Sequence, residues 1–276
     1  ADGTHYMLLP GPPRELIPMF ERHARPWLRR LLGEENALRS VMLKFAGIGE
    51  SALEERLKDL IEAQSDPTIA PYAKEGEVAL RLSTKAATEE EARRKIAPVL
   101  EEIRARTGSH LYAEEDIALE EAVVRKLAEK GRTVSAAESC TGGLLAELLT
   151  RVPGSSQVFR GGVVAYTIPV KKSLLGVPDR LLEGADAPGA VSPETAAAMA
   201  EGALRLTGSD YALSVTGVAG PSEDEGKPVG LVFVGLAGRG LSPRAVRLQL
   251  AGDREGIRLR AAKRALYELW RALTEF

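Results

Sequence analysis

Apolar residues recur at every third or fourth position near the carboxyl end of the chain, with polar residues between them. The apolar positions are Leu259, Ala262, Leu266, Leu269 and Leu273. At 3.6 residues per turn, these side chains share one face of a helix. The pattern therefore predicts a long amphipathic helix that starts at Asp253 and buries one face.

Strands and helices alternate over residues 116–276, and that helix is the last of them. Apolar runs predict strands at 133–137, 163–167, 211–216, 230–237 and 244–250, the last two forming a hairpin. Helices are predicted at 119–130, 141–151 and 193–207, and Ser192 caps the third of these. This order predicts an α/β fold, and we expect a three-layer α/β/α domain over residues 116–276.

Residues 36–115 have a different pattern. We expect a strand at 38–48, a helix at 49–63, a strand at 77–83, a helix that begins after Thr88, and a strand at 109–113. Val78, Leu80 and Leu82 alternate with charged neighbours, as in a half-buried strand. The order β-α-β-α-β predicts a small two-layer α+β domain.

Residues 1–35 are too few to form a core of their own. A strand is predicted at 5–9, followed by a helix at 14–32 that Pro18 and Pro26 interrupt. We interpret this section as the carboxyl-terminal remnant of a further domain, and position 1 is not Met.

Composition narrows the class of protein. The 276 residues are 44% hydrophobic and 28% charged, with a formal net charge of −2, which are values of a globular protein rather than a nucleic-acid-binding one. Cys140 is the single cysteine, so an internal disulfide and a cysteine-based zinc site are excluded. We expect no metal, no cofactor, no membrane span and a cytoplasmic location. Few amides and many arginines favour a thermophilic source.

One candidate site is the segment Ala137-Glu138-Ser139-Cys140-Thr141-Gly142-Gly143. It follows a predicted strand and opens a predicted helix, whose free N–H groups favour an anion or a developing oxyanion. The alternative is a helix start whose small residues allow close packing. In either case we expect Glu138 to stabilise the helix start and not to act in catalysis. The segment alone does not decide between the two.

Two further segments carry candidate chemistry. Thr216-Gly217-Val218-Ala219-Gly220-Pro221 lies at the carboxyl end of a predicted strand, where ligands of α/β sheets bind. Tyr166 ends another strand, and Lys171 on the next turn is a base if burial makes it neutral. The alternatives are an ordinary strand-to-loop turn, a packed tyrosine and a solvated lysine.

These motifs together resemble a known family. The three segments above, with Gly154-Ser155-Ser156, Gly189-Ala190-Val191-Ser192, Lys227-Pro228-Val229-Gly230 and Gly252-Asp253-Arg254, occur in the order found in the CinA C-terminal domain, the PncC-type nicotinamide mononucleotide (NMN) deamidase. Residues 36–115 resemble the KH-type domain of CinA. Residues 1–35 resemble the end of its N-terminal, molybdopterin-binding-like domain, which hydrolyses ADP-ribose. Most of that domain is missing here, so we do not expect its activity.

The resemblance implies hydrolysis of the NMN carboxamide to nicotinate mononucleotide and ammonia, without a metal or cofactor. It implies Ser139 as the nucleophile, rather than Cys140, and Lys171 as the base, with Tyr166 relaying the proton or orienting the lysine. Substrate contacts are implied for the backbone at Thr141 and Gly142 as an oxyanion hole, for Thr216, Gly217, Ala219 and Gly220, and for Arg254 on the phosphate. The family commonly has Ser-Asn after the tyrosine, whereas this chain has Thr167-Ile168, and Ile168 cannot donate or accept a hydrogen bond there.

Two other functions compete with the amidase. The KH-like section predicts a nucleic-acid or partner-binding module, but its G-x-x-G position holds Gly47-Ile48-Gly49-Glu50, and residues 36–115 carry 12 Lys/Arg against 15 Asp/Glu. A non-catalytic nucleotide sensor is the other alternative. We therefore expect a small-molecule substrate, no nucleic-acid partner and, from the resemblance, a homodimer.

Overall fold

The structure is a computed structural model that describes residues 4–32, 37–74 and 77–275. Its α-helices are α1 (Pro13–Met19), α2 (Arg25–Leu32), α3 (Glu50–Glu62), α4 (Glu89–Thr107), α5 (Leu119–Glu129), α6 (Leu144–Thr150), α7 (Ile168–Leu175), α8 (Asp179–Leu182), α9 (Pro193–Thr207) and α10 (Arg254–Thr274). Its strands are β1 (Ala37–Phe45), β2 (Thr68–Lys74), β3 (Glu77–Ala86), β4 (Leu111–Ala113), β5 (Val134–Glu138), β6 (Phe159–Val164), β7 (Tyr211–Gly217), β8 (Leu231–Gly238) and β9 (Leu241–Gln249). The strands form two separate sheets.

The first sheet has the order β2-β3-β1-β4, and its strand pairs are antiparallel. Helices α3 and α4 cover one of its faces, where the buried core of this part of the chain lies. Thr88 caps α4 as predicted, because its Oγ1 accepts a hydrogen bond from the Glu91 N–H at 3.1 Å. The predicted β-α-β-α-β order was wrong in one element, since β2 was not expected. Pro71 lies within that strand and obscured its pattern, but an edge strand tolerates proline.

The second sheet has the order β6-β5-β7-β8-β9. Strands β6, β5 and β7 are parallel, and β8 and β9 continue the sheet as an antiparallel hairpin. Helices α5, α6 and α10 pack on one face, and α7, α8 and α9 pack on the other. The predicted three-layer α/β/α architecture is thereby confirmed. The apolar stripe of α10 packs into the core that lies between this sheet and helices α5 and α6.

The amino-terminal section differs from the prediction. Residues 4–10 form no strand, so the strand expected at 5–9 was wrong. The expected interruption of the helix is confirmed: a π-helical segment, Phe20–Ala24, separates α1 from α2, and the Arg25 N–H donates to the Phe20 carbonyl. Proline lacks the N–H that would continue the regular pattern, and Pro18 and Pro26 lie on either side of this segment.

Buried polar contacts join the first sheet to α10. Lys263 donates to the carboxylates of Glu77, on β3, and Glu120, on α5. Gly47, which stands at the predicted G-x-x-G position, packs so closely on Tyr267 that a β-carbon there would lie 2.0 Å from the ring. The glycine loop of the KH-like section therefore faces α10.

In the described part of the chain, no helix is both long enough and apolar enough to cross a membrane.

Candidate active site

Ser139 lies at the carboxyl edge of the second sheet, immediately after β5. The strand occupies an interior position between β6 and β7, and the Ser139 N–H still donates to the Val215 carbonyl at 2.8 Å. On the other side, the Ala165 N–H donates to the Glu138 carbonyl at 2.8 Å. These bonds fix the position from which the Ser139 hydroxyl projects.

Lys171 contacts that hydroxyl directly. Its Nζ lies 3.0 Å from Ser139 Oγ and donates to the Ala165 carbonyl at 2.7 Å. The side chain belongs to α7, a helix that we did not predict, and only 2% of it is exposed. Burial lowers the pKa of Lys171 from its ordinary value, because a charged amine is poorly solvated there.

The turn after Ser139 does not have the predicted geometry. Helix α6 begins at Leu144 instead of near Thr141. The carboxylate of Glu138 accepts hydrogen bonds from the N–H groups of Gly143, at 3.0 Å, Leu145, at 3.0 Å, and Ala146, at 2.8 Å. The helix amino terminus is therefore filled by a side chain of the protein, as expected for a support role of Glu138, and is not free to bind an anion.

The other N–H groups of this turn differ in whether an oxygen atom accepts a hydrogen bond from them. The Gly142 N–H donates to the Ser139 carbonyl at 3.0 Å, so it is not a free oxyanion donor. Within the described residues, no oxygen atom accepts a hydrogen bond from the N–H groups of Cys140 and Thr141. Gly142 adopts a left-handed conformation, with a φ of 61°, which glycine tolerates best.

Cys140 is buried next to the serine, and burial disfavours the reactive thiolate form of its side chain. Burial raises the pKa of its thiol to about 12, so it is protonated near neutral pH. Since the thiolate is the nucleophilic form, the raised pKa of the thiol makes Cys140 a weaker candidate for the nucleophile than Ser139.

A cavity of about 250 Å³ opens in front of Ser139. It is lined by Ser139, Cys140, Tyr166, Gly217, Val218, Ala219, Gly220, Pro221, Ser222, Asp224 and Arg254. Six of the predicted site residues are among them, and Lys171 reaches the site from behind Ser139. Thr141, Gly142 and Thr216 do not line this cavity; Thr216 is buried and its hydroxyl donates to the Ala190 carbonyl at 2.8 Å.

Arg254 and Tyr166 meet across the cavity. The guanidinium donates to the Gly220 carbonyl at 2.5 Å and to the Tyr166 hydroxyl at 3.1 Å. Asp253 caps α10, accepting from the Gly256 N–H at 2.8 Å, and so fixes the turn that carries Arg254. The tyrosine hydroxyl thus contacts the arginine, and no hydrogen bond joins it to Lys171 among the described residues.

Ser222 and Asp224 also line the cavity, beside the loop at 216–221, here called the glycine loop, and the sequence did not predict them. Their segment is anchored by Lys227, whose Nζ donates to the Pro188 carbonyl at 2.8 Å. Glu225 accepts from the Ala190 N–H at 3.0 Å. The only sequence signal was their position between the glycine loop and the Lys227-to-Gly230 motif.

His, Cys, Asp and Glu side chains form no group that could hold a metal ion in the segments that the structure covers.

Comparisons with known proteins agree with this architecture. The family model described as the CinA C-terminal domain matches residues 116–273, and the model described as the KH domain of damage-inducible protein CinA matches residues 40–113. A competence-damage inducible protein of Symbiobacterium thermophilum is 53% identical over 279 residues, which cover 96% of this chain and 64% of the relative. A CinA-like protein of Dictyoglomus turgidum is 48% identical, covering 93% of this chain and 61% of the relative.

Solved structures are similar over the carboxyl-terminal part. A CinA superfamily protein from Klebsiella pneumoniae is 33% identical with a TM-score of 0.54, covering 57% of this chain and 97% of that one. A competence/damage inducible protein from Agrobacterium tumefaciens is 38% identical with a TM-score of 0.51, covering 57% and 96%. The chain spans less than two thirds of the length of the curated relatives it matches. With its C-terminal and KH domains both matched, the chain belongs to the CinA family.

Proposed function

We propose that the chain hydrolyses the carboxamide of NMN to nicotinate mononucleotide and ammonia. The observation that carries the proposal is the 3.0 Å contact between Lys171 Nζ and Ser139 Oγ at the edge of a cavity. A hydroxyl beside a buried amine is a nucleophile with its own base. The choice of NMN among carboxamides comes from the family resemblance.

In the first step, the oxygen of Ser139 attacks the carboxamide carbon while neutral Lys171 takes the hydroxyl proton. The tetrahedral intermediate then collapses, the C–N bond breaks, and Lys171 returns the proton so that ammonia leaves. A water molecule attacks the resulting acyl-serine ester, again losing its proton to Lys171. Cleavage of the ester C–O bond returns that proton to Ser139 and releases nicotinate mononucleotide.

The surroundings of Lys171 suit this role. A charged lysine is a poor base, and burial favours the neutral amine. The hydrogen bond to the Ala165 carbonyl orients the amine, which keeps its lone pair within reach of Ser139.

The developing oxyanion needs hydrogen-bond donors near Ser139. The family resemblance implied the amides of Thr141 and Gly142, but the Gly142 N–H is already bonded to Ser139. Thr141 is fully buried and does not line the cavity. We therefore assign the role to the N–H group of Cys140, which does line it.

Arg254 is the proposed phosphate ligand. Two of its five N–H donors bond to Gly220 and Tyr166. The others have no partner in the part of the chain that the structure describes, and a phosphate oxygen can accept from them. In this arrangement Tyr166 orients Arg254, which replaces the proton relay suggested by the resemblance. The backbone of Gly217, Ala219 and Gly220 forms the facing wall.

Ammonia release from NMN, followed together with chromatographic detection of nicotinate mononucleotide, tests the proposal. Free nicotinamide is the matched substrate control, since it carries the same amide without the phosphate. We expect turnover of NMN and a much lower kcat/KM for nicotinamide. Absence of product from NMN at high enzyme concentration, with the protein folded, would exclude the amidase and leave a nucleotide-binding role.

The resemblance also supports a homodimer in the cytoplasm. Light scattering coupled to size exclusion measures the first of these, and a mass near that of one 29.6 kDa chain would contradict it.

A further inference from the structure

Arg258 holds the turn that follows the proposed nucleophile. Its Nη2 donates to the Thr141 carbonyl at 2.6 Å, across 117 residues of sequence. The same peptide unit donates from its other end, through the Gly142 N–H, to the Ser139 carbonyl. The 141–142 peptide is therefore fixed at both ends.

The arginine reaches this turn from α10, one helical turn after Arg254. Residues four apart lie on the same side of a helix, so α10 directs two guanidinium groups to two walls of one site. Arg254 bonds to the glycine loop at Gly220, and Arg258 bonds to the turn after Ser139. Unlike Arg254, Arg258 does not line the cavity.

On its opposite side the turn is held by Glu138, whose carboxylate binds Gly143 and the first residues of α6. Arg258 therefore holds the turn at Thr141, and Glu138 holds it at Gly143. The Cys140 N–H belongs to the same peptide unit as the Ser139 carbonyl that Gly142 binds, and in the described residues no oxygen atom accepts a hydrogen bond from it.

Charges around the turn act in both directions. Burial raises the pKa of the Cys140 thiol, and Glu138 raises it further, whereas Lys171 and, as the smallest cause, Arg258 lower it. Arg258 therefore acts on the turn through its hydrogen bond to the Thr141 carbonyl and not through its charge.

We infer that Arg258 is a positioning residue for amide hydrolysis: by fixing the Thr141 carbonyl, it holds the 141–142 peptide, and through the Gly142-to-Ser139 hydrogen bond it holds the Cys140 amide where the oxyanion forms. This inference rests on the proposed function. Preorganised donors act only if they need not move during the reaction, and loss of one such donor lowers kcat about 10²- to 10³-fold. Arg258 touches neither the substrate space nor Lys171, so its effect is expected on kcat alone.

The test compares Arg258→Ala and Arg258→Lys with Arg271→Ala, which removes an arginine of the same helix that pairs with Glu275. We expect kcat for NMN to fall about 100-fold in Arg258→Ala and about tenfold in Arg258→Lys, with KM within about threefold of wild type. The pH at which the rate rises should not change, because Lys171 is untouched. Added guanidinium ion should restore part of the activity of Arg258→Ala, and Arg271→Ala should behave as wild type.

Amide hydrogen exchange provides a readout that needs no activity. Arg258→Ala should speed exchange at Gly142 and Gly143 while α9 stays protected. If the wild type does not release ammonia, the proposed function fails, and exchange still decides whether Arg258 holds the turn. Unchanged exchange, an unchanged kcat, or a rise in KM alone would overturn the inference. If Arg258→Ala does not fold, the Lys variant decides by the same measures.

Discussion

Lys171 Nζ lies 3.0 Å from Ser139 Oγ, although 32 residues separate them and they belong to different layers of the fold. Ser139 is held by the sheet and Lys171 by a helix on one face of it. Burial removes water from the charged amine and so favours its neutral form. The same burial lowers the free energy of unfolding, as is common at active sites.

Ser139→Ala should lose turnover of NMN by several orders of magnitude and still bind NMN, because the proposed function makes the hydroxyl the nucleophile and not the main source of affinity. Cys140→Ala should stay active, since burial keeps the thiol protonated. Ammonia release by the two variants, with intact-mass analysis for an acyl adduct, measures this. An inactive Cys140→Ala beside an active Ser139→Ala would reverse the assignment.

The rate of NMN hydrolysis should rise with pH through an apparent pKa below the ordinary lysine value of about 10.4. Burial lowers the pKa of Lys171, so the neutral amine accumulates as pH increases. Lys171→Arg keeps the charge but cannot lose its proton, and should be nearly as inactive as Lys171→Ala. The check is kcat/KM against pH, with Lys172→Arg as the control on the same helix. A Lys171→Arg variant with near-normal turnover would remove Lys171 from the base role.

Local signals predicted the elements well where capping and periodicity agreed. The Ser192 cap and the bounds of α9 were predicted correctly, because the cap and the apolar spacing are properties of adjacent residues. Helix α7 was missed because β-branched residues precede it, although Pro169 lies in its first turn, where proline is common.

The site itself was predicted only as a set of segments. That Lys171 meets Ser139, and Tyr166 meets Arg254, depends on how helices cross the sheet, which spacing along the chain does not encode. Helix α6 begins at Leu144 instead of near Thr141, and the Glu138 carboxylate accepts hydrogen bonds from Gly143 and from the first turn of that helix. A carboxylate that bonds to its own following turn leaves no periodic signal in the sequence.

Glu138→Gln should lower the free energy of unfolding by about 2–3 kcal/mol. The carboxylate is buried and accepts three N–H groups. An amide supplies one acceptor oxygen and places donors against those N–H groups. Urea unfolding measures the change, and Glu147→Gln on exposed α6 surface is the control, expected within about 0.5 kcal/mol. A loss as small as that of the control would show that the turn is held in another way.

Lys263→Met should destabilise the fold by about 3–5 kcal/mol, because it leaves the carboxylates of Glu77 and Glu120 buried without their shared cation.

Burial would by itself raise the pKa of Glu77, but Lys263 and the Tyr112 hydroxyl hold it below its ordinary value. A depressed pKa in the folded state contributes stability above about pH 4.5 that is lost as pH falls through the folded value. The variant should therefore lose stability at neutral pH and less at pH 3, because the Glu77 contribution is lost as pH falls through its folded pKa. Urea unfolding at the two pH values measures this, with Lys126→Met, which removes an exposed pair with Glu129, expected to change the free energy of unfolding by about 1 kcal/mol or less. An equal loss at both pH values would mean that packing of the lysine stem, and not its charge, joins the first sheet to α10.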